Sequence, residues 1–91
     1  MTWEQKTELC KLFNTDQQEQ ALDLTIQNLE TMDDQAWEMF FTGVELTPTN
    51  IEAYREKHLQ IVEKSKLLKS DSMRTAMRMA YYEDLLNVAA E

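Results

Sequence analysis

Residues 31–48 read TMDDQAWEMFFTGVELTP and hold both the only glycine, Gly43, and the only proline, Pro48, of the 91-residue chain. Asp33 or Asp34 opens a helix here, because a carboxylate at the cap accepts from free first-turn amides and suits the positive end of the helix dipole. Trp37, Phe40 and Phe41 follow at i, i+3 and i+4, so one side of that helix is aromatic. Gly43 is expected to end it in the left-handed conformation. Val44 and Leu46 then tuck a short connection against the core. Thr47 and Pro48 fit a cap with proline at the first helical position, and Thr49 with Glu52 is a competing capping box. Strand-rich folds spend glycine and proline on turns and bulges. One of each points to an all-α fold: a compact bundle of four to five short helices with short polar loops, one domain over residues 1–91.

Upstream, Thr2 and Gln5 are spaced as a capping box, and Trp3, Leu9, Cys10, Leu12 and Phe13 recur roughly at helical period. Asp16 with Glu19 reads as the start of a second helix, whose stripe is Ala21, Leu22, Thr25, Ile26 and Leu29. Downstream, the helix opened by Pro48 is expected to run unbroken to about Leu68. Ile51, Tyr54, His58, Ile61 and Val62, then Ser65 and Leu68, face inward, and Lys64, Lys66 and Lys69 complement the dipole at its end. Ser70-Asp71-Ser72 separates it from a last helix over 72–89, with Met73, Ala76, Met77, Ala80 and Tyr81 on one side and Leu85, Leu86 and Val88 continuing. The expected core joins Leu22, Ile26, Leu29, Trp37, Phe40, Phe41, Ile61 and Met77.

Composition removes most enzymes. A single glycine leaves no phosphate-cradling loop and no dinucleotide fingerprint. His58 has no second histidine or cysteine near it, and position 55 is Arg rather than the Glu a helical di-iron pair needs. The single cysteine, Cys10, beside Leu9 on an apolar stripe, reads as a buried and inert thiol and allows no intrachain disulfide. No base pairs with Ser65, Ser70 or Ser72 at a recognisable spacing. Asp71-Ser72-Met73 is similar to the Asp-Ser-Leu phosphopantetheine site of acyl carrier proteins, which would make Ser72 a modified serine. That family's serine lies mid-domain before an acidic helix, whereas here Arg74 and Arg78 follow it. A Ser/Asp cap accounts for the same residues. The expectation is a non-enzymatic protein with no cofactor and no metal. Without an apolar leader or a run of ~20 apolar residues, the expected compartment is the cytoplasm.

The charge is lopsided. The formal net charge is −8, and all of it falls in residues 1–50, which hold ten acids against Lys6 and Lys11. Residues 51–91 hold seven acids against seven Lys/Arg and balance to zero. Such a balance disfavours direct nucleic-acid or membrane binding and favours another protein, basic or itself nucleic-acid-binding. Two surfaces are candidates for that partner. One is acidic: Glu19, Asp23, Glu30, Asp34 and Glu38, which would either dock a basic protein or stand in for duplex phosphates as a nucleic-acid mimic. The other lies on the last helix, where Arg74, Arg78 and Tyr82 stand at i, i+4 and i+8, with Met79 beside them. Met73, Met77 and Met79 make that helix methionine-rich, as core filler or as an adaptable binding face. The acidic half and the arginine stripe suit each other, either between two copies of the chain or within one. The expected role is an adaptor, regulator or inhibitor of another protein.

Overall fold

The computed structural model describes residues 1–68 and 72–90; Lys69, read above at the end of the fourth helix, and Ser70 and Asp71, read as a connection, lie outside the described residues. Among the described residues six α-helices form: α1 (Trp3–Asn14), α2 (Gln18–Gln27), α3 (Asp34–Gly43), α4 (Pro48–Ala53), α5 (Arg55–Leu67) and α6 (Met73–Ala90), with a 3-10 turn at Leu29–Thr31. The all-α class is that of the sequence. α3 lies between α1 and α6, while α5 packs on α2, α4 and α6.

Thr2 and Gln5 form the capping box of α1. Asp33 caps α3 through Oδ1, which accepts from the Ala36 N–H at 2.8 Å, while Oδ2 accepts from Lys6 Nζ at 2.7 Å. The Lys6 ammonium and the Ala36 amide hold this carboxyl below its ordinary range. Lys6 is itself buried, and Gln35 Oε1 takes another of its protons at 2.9 Å. Nothing in the spacing of Lys6 marks it as an inward cation, because its partners sit more than 25 residues away.

Two turn assignments exchange roles. Asp16 is not the cap of α2, which starts after Gln17 without a side-chain cap. It has φ 59° and closes α1, with Gln17 N–H donating to Leu12 O and Asp16 N–H to Phe13 O, the paired bonds of a Schellman motif. Aspartate is favoured at both kinds of position, so its presence could not tell a start from a stop. Gly43 in turn is not left-handed, since no glycine has positive φ. It is required by close approach: a Cβ there would lie 2.5 Å from Cδ2, 2.7 Å from Cγ and 2.8 Å from Cβ of Phe13. Gly43→Ala is therefore expected to destabilise by about 1–2 kcal/mol, overpacking exceeding the gain in helix propensity. A urea midpoint that falls at constant m-value checks this.

The fourth expected helix is broken at Tyr54, whose φ of −120° and ψ of 26° separate α4 from α5. The bend lets Ile51 on α4 and His58, Ile61 and Val62 on α5 all reach the core. Leu22, Leu29, Trp37, Phe40 and Ile61 are buried as expected, and Ile26 and Phe41 pack half-buried against them. Met77 is the exception, 66% exposed. Trp3, read above with the apolar positions of the first helix, and Leu68, read as facing inward, are exposed as well.

Candidate binding face on the last helix

α6 is inserted the other way round from its apolar pattern. Thr75, Tyr82 and Leu86 are buried, and Met79 packs half-buried beside them. Tyr82, expected on a surface stripe with the arginines, is 1% exposed and therefore unavailable to a partner. Its ring meets Phe40 edge-on at 5.6 Å and Phe41 at 6.1 Å. Its hydroxyl lies 2.5 Å from Nδ1 of the buried His58. Burial pushes the tyrosine hydroxyl far above its ordinary range and lowers the imidazole to about 4. A neutral His58 that accepts the tyrosine proton on Nδ1 carries its own on Nε2, which is buried and has no hydrogen-bond partner among the described residues.

Polar contacts from the neighbouring helices hold this orientation. Glu38 on α3 takes Arg74 on Oε1 at 3.1 Å and Arg78 on Oε2 at 2.5 Å. The Arg78 guanidinium also stands 5.1 Å from the Phe41 ring centroid, a cation–π contact. Asp34 accepts from the Thr75 hydroxyl at 3.1 Å, and Lys66 of α5 reaches Glu83 at 2.6 Å. The Ser72 Oγ accepts from the Thr75 N–H at 3.2 Å, as a helix-capping serine does. Partly exposed ion pairs are worth at most about 1 kcal/mol each, so they select the rotation of α6 more than they stabilise the fold.

The acidic and arginine-bearing halves thus meet within one chain. Glu19 and Asp23 are likewise turned inward onto Lys57, at 3.3 Å and 2.5 Å. Asp23 and then Glu19 raise that ammonium above its ordinary range. Of the acidic candidates, Glu19, Asp23 and Glu38 face cations of the chain, Asp34 faces Thr75, and Glu30 is exposed on the 3-10 turn.

What the inverted insertion leaves outside is apolar. Met73, Met77, Tyr81 and Val88 are 76%, 66%, 65% and 66% exposed, and Ala76 and Ala80 are exposed between them. At 100° per residue these six share one side of α6, opposite Thr75, Tyr82 and Leu86. Ala76 and Ala80 also form one wall of an open groove of about 800 Å³ over Leu29, Met32 and Trp37. The sequence shows this stripe, places Met77 in the expected core and leaves the methionines open between core filler and binding face, because apolar periodicity shows that a face exists but not what covers it. Among the described residues no group of three or more His, Cys, Asp or Glu could hold a metal ion, and no helix is long and apolar enough to cross a membrane. Comparison with protein-family models, with curated proteins and with solved structures finds no match to this chain.

Proposed function

We propose that the chain is a small, non-enzymatic, cytoplasmic protein-interaction module that docks another protein on the outer face of α6. The supporting observation is the Met73–Met77–Tyr81–Val88 stripe, exposed at helical spacing on a helix whose opposite side already fills the core. Methionine adapts its shape to a facing surface, and methionine and tyrosine are enriched where proteins meet. The nucleic-acid-mimic alternative draws less support, because Glu19, Asp23 and Glu38 are spent on cations of the chain itself. The carrier alternative draws less too, because the Ser72 hydroxyl serves the first turn of α6.

The test is affinity capture with the immobilised full chain, comparing wild type, Met77→Glu/Tyr81→Glu and Glu4→Lys/Glu8→Lys. The α6 variant is expected to lose its retained protein at least about tenfold, equivalent to about 1.4 kcal/mol of binding, while the α1 variant keeps it. Both variants are expected to hold their unfolding free energy within about 0.5 kcal/mol, since all four positions are exposed. Loss confined to the α1 variant, with release at moderate salt, would favour the mimic instead.

A further inference from the structure

We infer that the occupant of the α6 outer face is a second copy of this chain, packed antiparallel along the same stripe. The inference rests on the reading of that face as a docking surface and names its partner. The decisive residue is Asp84. It is exposed and lies along the stripe between Met77 and Val88, so any apolar surface that covers the stripe also covers a carboxylate. A covered carboxylate must be met by a cation. Arg74 is that cation: it gives Nη2 to Glu38 yet remains 75% exposed, on the edge of the same stripe.

The two residues sit on one helix about three turns apart, too far to meet within the chain. A two-fold axis near residue 79 brings Arg74 of each copy to Asp84 of the other and sets Met77 against Tyr81. Parallel packing would set Asp84 against Asp84 and Arg74 against Arg74. The direction of pairing is therefore written in the charges, and the interface is isologous.

Charge elsewhere does not oppose this contact. Residues 73–88 hold two arginines, Glu83 and Asp84, and so balance to zero. α1 is neutral, with Glu4 and Glu8 against Lys6 and Lys11, and Glu38 of α3, the helix that packs on α6, is already paired with Arg74 and Arg78. The stripe from Met73 to Val88 is about 22 Å long at 1.5 Å per residue, the size of one helix–helix contact. An interface of that size lies at the low end for specific association, so the dimer is expected to be concentration-dependent, with Kd in the micromolar range.

Sedimentation of the full chain from about 1 µM to about 100 µM tests it, because this span brackets a micromolar Kd. Wild type is expected to rise from its 10.8 kDa monomer mass towards twice that value. Met77→Glu/Tyr81→Glu is expected to remain monomeric, with the thermal midpoint that wild type has at the dilute end of the range. Asp84→Arg alone and Arg74→Asp alone are each expected to weaken the dimer at least about tenfold, and mixing the two is expected to restore a heterodimer. A wild-type mass fixed at the monomer value at the highest concentration overturns the inference. It leaves the docking reading standing if capture still depends on Met77 and Tyr81. A dimer that persists in Met77→Glu/Tyr81→Glu also overturns the inference, because self-association then uses another surface, and the docking reading falls only if capture is indifferent to that variant as well. A dimer lost in that variant but indifferent to both charge variants overturns the antiparallel register.

Discussion

Acidification from pH 6.5 to about 4 is expected to remove about 3 kcal/mol of stability through one residue, His58, whose imidazole is lowered by burial from 6.5 to about 4. In that window the unfolded chain binds a proton on His58 that the folded chain does not. The contribution is complete above pH 6.5, declines as pH falls, and levels off below about 4. Asp33 acts in a lower window, because its carboxyl is held below 3.8 and its contribution is lost only as pH falls beneath that value. Urea titrations at several pH values between 4 and 7 read the slope directly. His58→Leu is expected to flatten it, and a variant that keeps the wild-type slope would show that another group titrates.

The same pair yields a sharper result at neutral pH. Tyr82→Phe leaves Nδ1 of His58 buried without its partner, and His58→Leu strands the Tyr82 hydroxyl. Each is expected to cost about 1–3 kcal/mol. The double variant removes both polar groups together with the unpaired Nε2, so it is expected to cost less than the sum of the two.

Phe40→Ala is expected to cost about 3–5 kcal/mol, a large share of the stability of a domain of this size. Phe40 is fully buried, and its ring contacts Phe13 at 5.9 Å, Trp37 at 5.6 Å, Phe41 at 5.4 Å and Tyr82 at 5.6 Å. It thereby joins α1 to α6 through α3, and truncation opens a cavity at the junction of three helices. Met77→Ala is the control on the same scale. Buried as first expected, Met77 would cost about 2–5 kcal/mol on truncation; exposed as observed, it is expected to stay within about 0.5. Denaturant unfolding of the two variants side by side separates these arrangements.

The residues that sequence reading placed well are those whose signal is local. The Thr2–Gln5 box, the Asp33 cap and Pro48 at the first position of α4 each act within one helical turn, and all three are present. The aromatic trio of α3 declares its inward side by its bulk, and most of the expected core followed from it. The exchanged roles of Asp16 and Gly43 mark where local signals become ambiguous. One residue type suits two backbone positions, and a glycine serves either a dihedral or a neighbour. The break at Tyr54 carries no proline or glycine to announce it.

By itself, then, the sequence determined an all-α chain, where most of its helices begin, and that its last helix has an apolar side. Only the tertiary structure decided which side of that helix is inside. Periodicity ranks faces by hydrophobicity, and on that measure the Met73–Met77 side was preferred. Packing weighs the whole environment instead. Tyr82 brings a large ring to Phe40 and a hydroxyl to His58, and Arg74 and Arg78 find Glu38 on α3. Those contacts join residues 24 to 42 positions apart, so they exist only once the helices are assembled, and they turn the methionines outward.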